Sequence, residues 1–262
     1  MHRDLFAATL IAVSALQAAA QGPPAAAADA VEWSLGLGVI SAPRPYVGAD
    51  NQTLVIPLLG LEYKRLSVQG IRVGYHLIDR EDLKLALRAR YIFDGLDPDD
   101  SPFLEGMARR DGTVEGGLGL DWSFGAWALR ASAFTDLLGR SDGQEVGLDL
   151  SRTWTFGRYR WGVTPAVGVV WQSSNLVDYY YGVPPDEARP DRPAYAGSSA
   201  LNLRTSLLVF YRISERFNAV ALVQAQRLDN EIVDSPIVDA RRAYFGLLGV
   251  NYQIGRQGFR GP

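Results

Sequence analysis

Chemistry in this chain has few instruments. Of its two histidines only His76 lies beyond residue 30, and there is no cysteine. A nucleophilic serine needs a base beside it. His76 stands between Tyr75 and Leu77 with no adjacent serine, although a serine on a neighbouring strand could approach it. It reads more simply as a polar residue on the inner face of a strand. One histidine and no thiol leave only carboxylates for a metal, which would suit calcium. Asp94, Asp97, Asp99 and Asp100 form such an acidic stretch, and solvated loop charge explains it equally well. No catalytic residue, metal site or cofactor is therefore assigned. What stands out is a set of ionic residues placed opposite apolar ones: Lys84, Arg88, Arg90, Arg130, Asp149 and Arg204. They are candidates to line an enclosed lumen, either paired into a plug or bordering an aqueous path.

The elements that must position them are strands. From Leu83 to Phe93, Leu83, Leu85, Leu87, Ala89, Tyr91 and Phe93 share one face, while Lys84, Arg88 and Arg90 lie on the other. A period of two means extended backbone with two unlike faces. Val146, Leu148, Leu150, Trp154 and Phe156 oppose Gly147, Asp149, Ser151, Thr153 and Thr155. Leu201, Leu203, Leu207, Val209 and Tyr211 oppose Asn202, Arg204 and Ser206. Arg152 interrupts the apolar face near a strand end, where its stem can snorkel. The stretch 52–63 is apolar on both faces and carries no such information.

Eleven strand-like segments can be read, and the 66–78 segment changes phase at Gln69-Gly70. A turn there gives twelve strands; a bulge would leave a count to be reduced to ten. An even number puts both ends of a barrel on one side, so the expectation is an all-β, closed antiparallel transmembrane β-barrel of about 12 strands, with 10 as the alternative. Very tight turns at Phe124-Gly125 and Gly157-Arg158 alternate with long loops at 94–112, 173–198 and 229–241, as in barrels with short periplasmic turns and long external loops. No helix pattern competes. Pro57 and Pro165 fall inside strand-like runs, where proline removes a ladder donor.

The ends and the composition agree. Arg3 precedes an apolar, Ala-rich run too short to span a bilayer, with small-residue cleavage patterns ending at Ala20 and Ala30. Residues 1–30 read as an export signal, 31–254 as the barrel and 255–262 as a polar tail. A net charge of −3 and the lack of a basic cluster give no support for nucleic-acid binding. Trp33, Tyr63, Trp122, Trp127, Trp154, Trp161, Trp171 and Tyr252 sit near strand ends, where rings mark membrane–water boundaries. Outer-membrane lipid is the expected surrounding.

Several short motifs then resemble one family. Asp178-Tyr179-Tyr180-Tyr181-Gly182-Val183, followed by Arg192-Pro193-Ala194-Tyr195-Ala196-Gly197, is similar to the YYGV-type motif and strand re-entry of the MltA-interacting protein (MipA/OmpV) family. Ser41 to Asp50, Gly74-Tyr75, and Asp234-Ser235-Pro236-Ile237-Val238 with the closing run Phe245 to Tyr252 agree in order. The resemblance implies an outer-membrane barrel in the cell outer membrane. It also implies a non-enzymatic scaffold linking a murein lytic transglycosylase to a murein synthase, or alternatively a small porin-like channel. A soluble periplasmic ligand-binding barrel, with the apolar stripes turned inward, is the reading from another class. Asp178, Tyr179, Tyr180, Tyr181 and Gly182 are expected to anchor the longest loop over the barrel mouth.

Overall fold

The computed structural model describes residues 32–42, 44–92, 95–157 and 160–254; the expected leader, its cleavage sites and the 255–262 tail lie outside them. Strands run as β1 (Glu32–Ala42), β2 (Gln52–Tyr63), β3 (Leu66–Gln69), β4 (Arg72–Asp79), β5 (Leu83–Ile92), β6 (Thr113–Phe124) and β7 (Trp127–Asp136). They continue as β8 (Gln144–Arg152), β9 (Trp154–Phe156), β10 (Trp161–Gln172), β11 (Ala200–Arg212), β12 (Phe217–Arg227) and β13 (Arg242–Ile254). Each pairs antiparallel with its neighbours in one sheet. The last strand returns to the first from Trp33↔Ile254 to Ser41↔Gly246, which closes the barrel. β8 and β9 hold a single register on β10 and break only at Thr153, so the wall counts as twelve strands. The chain does turn at Gly70, whose φ of 56° suits glycine, and this produces the even count.

Side-chain direction decides between membrane and soluble barrel. Leu37 is 66% exposed while Ile40, three residues on, is 0%. The Leu35, Val55, Leu87, Leu118, Leu148, Val167, Leu203 and Leu248 stripes all face outward. That is a hydrocarbon-facing surface, and it rules out the soluble reading, which needs these residues inside. Aromatic residues gather at the short-turn end. Trp33, Tyr63, Trp122, Phe124, Trp127, Trp154, Phe156, Trp161, Tyr211 and Phe217 are exposed there. Neighbouring rings touch: Trp122 with Phe124 at 4.8 Å, Phe156 with Trp161 at 4.4 Å and Phe217 with Tyr252 at 4.8 Å between centroids. Arg152 points outward among them, its guanidinium 5.3 Å from the Trp127 ring and 5.0 Å from the Trp154 ring.

Both strand prolines have a structural reason. Arg160 C=O accepts from Arg212 N, so even residues of β10 turn their backbone groups to β11 and odd ones to β8 and β9. Pro165 therefore lacks its donor on the β8 side, next to the break at Thr153. Thr153 and Thr164 hydroxyls bridge that break at 2.9 Å. In β2, Leu59 C=O accepts from Gly70 N at 2.7 Å. The missing donor of Pro57, two residues earlier, thus points to the side where β3 has already ended.

One expectation fails. The 173–198 loop contains a helix, α1 (Ser174–Tyr181), and a shorter one, α2 (Asn230–Val233), lies in the last long loop. Ser173 caps α1 by accepting from Leu176 N. Leu176, Val177 and Tyr180 then fall on one buried side. Eight residues are too few for a periodic pattern to stand out from a loop.

Replacing Leu37 with Lys puts a charge on the lipid face of mid-strand β1. It should lower barrel stability in vesicle-based urea unfolding by about 2–4 kcal/mol, while the unheated-gel mobility of the residual folded fraction stays that of the barrel.

Candidate functional site: the lumen and its loop cap

Inside the barrel the ionic residues form a row set by register. Lys84 stands opposite Asp121, Asp121 opposite Arg130, Arg130 opposite Asp149, and Asp149 opposite Gly168, which is opposite Arg204. Charge alternates from strand to strand, the arrangement cross-strand pairing favours. Arg130 Nε donates to Asp121 Oδ1 at 2.8 Å, and Arg88 reaches the other oxygen of the same carboxylate. Arg204 Nε donates to Asp149 Oδ1 at 3.0 Å across Gly168. A Cβ on Gly168 would strike that carboxylate, and one on Gly119 would strike the Arg88 guanidinium. Small residues in the row make space for the long ones.

One step toward the long loops lies a fully buried node. Arg90 Nη2 donates to Glu115 Oε2 at 2.5 Å and to Glu145 Oε1 at 2.8 Å, and its guanidinium covers the Phe134 ring at 3.9 Å. Glu115 is 0% exposed. Of the six lumen residues named from sequence, Arg88 and Arg130 meet on Asp121, Arg204 pairs with Asp149, and Arg90 holds Glu115 and Glu145. Lys84 is apart, at the short-turn end, 3.7 Å from Asp79. His76 Nδ1 lies 3.5 Å from the same Asp79, and the Ser67 hydroxyl donates to Gly74 C=O at 3.5 Å.

The opposite wall is apolar. Ile40 and Ala42 of β1, Leu58 of β2, Leu208 of β11, Val220 and Leu222 of β12, and Phe245 and Leu247 of β13 make one buried cluster, with Leu54 and Ile56 packed against it. This explains why β2 reads as apolar on both faces: one faces lipid, the other this inner wall. The interior is half ionic and half greasy.

The long loops assemble a second core over the mouth. Tyr46, Leu96, Leu104, Met107, Val177, Val183, Ile232, Ile237 and Val238 are buried together, with Tyr181 and Tyr195 against them. Tyr46 Oη donates to Tyr180 C=O at 3.2 Å, Ser235 Oγ to Tyr181 C=O at 2.6 Å and Tyr195 Oη to Glu231 C=O at 2.9 Å. Burial, with Glu231 nearby, pushes the Tyr195 phenol above its ordinary value. Tyr179 is on the rim, its Oη accepting from Asp111 N at 3.0 Å. Asp178 Oδ1 accepts from Gly197 N at 2.9 Å, and Gly182 leaves no room for a Cβ beside Asp178 C=O. So Asp178 contributes a hydrogen bond to backbone rather than a charge pair. Arg192, 1% exposed, donates to Phe103 C=O at 2.6 Å and to Glu187 C=O at 2.8 Å. The acidic stretch pairs internally: Asp97 with Arg109 at 2.5 Å, and Asp100 with Arg44. Among the described residues no group of acids, histidines or cysteines is arranged to hold a metal.

Sequence reasoning missed Glu115 and Glu145, whose phase puts them on the inner face, and also Arg110 and Arg192. Loop arginines carry no periodic signal. Residues of three of the family-like motifs, Tyr46, Tyr180-Tyr181 with Tyr195, and Ser235-Ile237, meet in the cap, while Gly74-Tyr75 lies in the wall on β4.

The model of the family described as MltA-interacting protein MipA matches residues 35–254. This chain belongs to that family. Putative outer membrane protein YiaT of Escherichia coli K12 is 31% identical over 237 residues, covering 88% of this chain and 95% of that one. The MltA-interacting protein of the same organism is 28% identical over 251 residues, covering 94% and 96%. OmpV of Vibrio cholerae is 28% identical over 144 residues, 55% of each chain. Among solved structures, the COG4313 outer membrane channel from Pseudomonas putida F1 overlays with a TM-score of 0.45 at 10% identity, covering 89% of this chain and 100% of that one. The protein is an outer-membrane β-barrel.

Two variants separate lumen from cap. Arg90→Gln leaves Glu115 and Glu145 facing each other in a dry site and should cost about 3–5 kcal/mol in unfolding experiments. Tyr180→Ser with Tyr181→Ser should leave the heat-modifiable barrel intact while limited proteolysis now cuts within 173–199; failure of the barrel to assemble would refute cap anchoring.

Proposed function

We propose that this protein is a non-enzymatic outer-membrane barrel with a structural, scaffolding role at the cell-wall side, rather than an open porin. What supports this reading is a packed loop core over one end of the barrel and paired charges across its middle. Ordered ion pairs and buried apolar side chains leave hydrophilic solutes a costly path. The Ser67 hydroxyl donates to the Gly74 carbonyl rather than to a base, which supports a role without acyl-transfer chemistry.

The name of the MltA-interacting relative supplies the partner class, and we extend it here to a murein lytic transglycosylase with its murein synthase. In this reading the long loops face outward and the short turns face the periplasm. The short turns offer little area, but they are basic on one arc. Arg160, Arg212 and Arg216 are exposed on neighbouring turns, with Glu215 as the acid among them in the described residues. Arg216 Nη1 donates to Tyr252 Oη at 2.9 Å, which fixes it at the rim. Arg158, expected at this edge from sequence, lies outside the described residues. An acidic face on the transglycosylase would fit the arc.

Affinity purification of the full chain should retain the transglycosylase, and Arg160→Glu with Arg216→Glu should weaken retention about tenfold or more. The same barrel in planar bilayers should give no stable conductance steps. Steady single-channel conductance with no retained enzyme would favour the small channel instead.

A further inference from the structure

Two arginines end strands on the lipid side of the wall. Arg227 is the last residue of β12 and Arg242 the first of β13, so both stand at the long-loop end. The register sets them directly opposite each other. Leu228 N donates to Arg241 C=O at 3.1 Å, which makes 228 and 241 a hydrogen-bonded pair. Arg227 and Arg242 are then the closer, non-hydrogen-bonded kind, with Cα atoms about 4.5 Å apart. Their phase is outward: Arg242 alternates with exposed Tyr244 and Leu248, and Arg227 with exposed Val223. Phe245, Leu247 and Leu222, of the opposite phase, are buried. Both arginines are exposed, as is Arg241 at the same rim.

Like charges directly opposite each other destabilise a sheet, and the chain does not offset these two. Among the described residues neither has an ion pair or a side-chain hydrogen bond. Asp229, two residues from Arg227, spends its carboxylate on the N–H groups of Leu201 and Glu231. Asp239 makes no ion pair either, and its N–H donates to Pro45 C=O at 3.1 Å. On β11 the residue opposite Arg227 is Leu203. In the lumen, by contrast, Arg88, Arg90, Arg130 and Arg204 each have a carboxylate. The counter-charge for the outer pair therefore comes from outside the chain.

The surface beneath them selects the kind of anion. Tyr244 is the next outward residue after Arg242, where a ring marks the membrane–water boundary; Gly246 and Leu248 follow it toward the hydrocarbon. A Cβ on Gly246 would meet nothing within 4 Å, so the strip between Tyr244 and Leu248 is open to an acyl chain. The anion thus carries hydrocarbon. Two adjacent guanidinium groups match a phosphomonoester, with about two negative charges and three acceptor oxygens, better than a singly charged phosphodiester. Phosphomonoesters on an acylated sugar are the chemistry of the glycolipid in the outer leaflet of an outer membrane.

We propose that Arg227 and Arg242 form an outward clamp for a phosphomonoester of the outer-leaflet glycolipid, an acyl chain lying along Tyr244, Gly246 and Val223. The clamp takes its orientation from the reading above, with the long loops outward, and needs no partner at the short turns.

The test uses the full chain folded in detergent and native mass spectrometry, with lipid A, phosphatidylglycerol and inorganic phosphate as probes. Folding of each variant is verified by unheated-gel mobility. The unmodified chain should retain lipid A at about tenfold lower concentration than phosphatidylglycerol, and Arg227→Gln with Arg242→Gln should erase that preference. Arg80→Gln with Lys64→Gln, which removes the same charge at the short turns, should keep it. If the first double variant does not fold, Arg242→Gln alone should lower the preference about threefold or more. An unchanged preference in the Arg227 and Arg242 variants would overturn the clamp. Equal retention of lipid A and phosphatidylglycerol would overturn the phosphomonoester, and displacement of lipid A by an equal concentration of inorganic phosphate would overturn the lipid. No transglycosylase is present, so failure of the scaffold reading leaves these outcomes untouched.

Discussion

Backbone hydrogen bonding in a solvent that cannot hydrogen-bond governs this structure. Every peptide group at membrane depth must find a partner in the wall, and the β1–β13 seam provides it for the two strands that would otherwise be edges. Departures from that rule are locally compensated. Where Pro165 withholds a donor, β8 breaks at Thr153 and a pair of threonine hydroxyls spans the place. Where β3 stops early, Pro57 sits on the orphaned side of β2. Prolines in this chain are where the ladder is already interrupted.

Closure also fixes the electrostatics. Once the apolar stripes face lipid, each charged side chain of opposite phase is committed to the interior, and there it must be neutralised by another. The row through Asp121, Arg130, Asp149 and Arg204 does this by alternating sign around the wall. Gly119 and Gly168 are part of the same arrangement, since long guanidinium groups can lie flat on the wall only where no Cβ intrudes. The Arg90 node goes further, with two carboxylates and an aromatic face around one cation. Such a dry network is sensitive to the loss of any member, while its removal as a whole need not be costly.

The cap follows a different logic. Its residues come from four loops and its core is apolar, like that of a small soluble domain. Three tyrosines and a serine donate to carbonyls of other loops, so loop backbone that has no sheet to pair with is still satisfied. Long loops are thus a second folded layer and not slack between strands.

Much of the barrel could be read from sequence because strand phase is a local property. Leu83 to Tyr91 shows two faces by itself, and Gly70 announces a turn by breaking phase. Leu54 to Leu58 showed nothing, because both faces are apolar when one meets lipid and the other an inner wall. α1 was hidden by its shortness, and Arg192 by lying in irregular backbone. The sequence by itself determined which residues share a face, since alternation needs only the chain's own geometry. Tertiary structure alone decided which face of the apolar stripes is outward, which strand's Arg meets which strand's Asp, that Tyr46 meets Tyr180, and that β3 accompanies β2 only along Gly60–Tyr63. Those facts depend on register and closure, which are set by the whole ring of strands together.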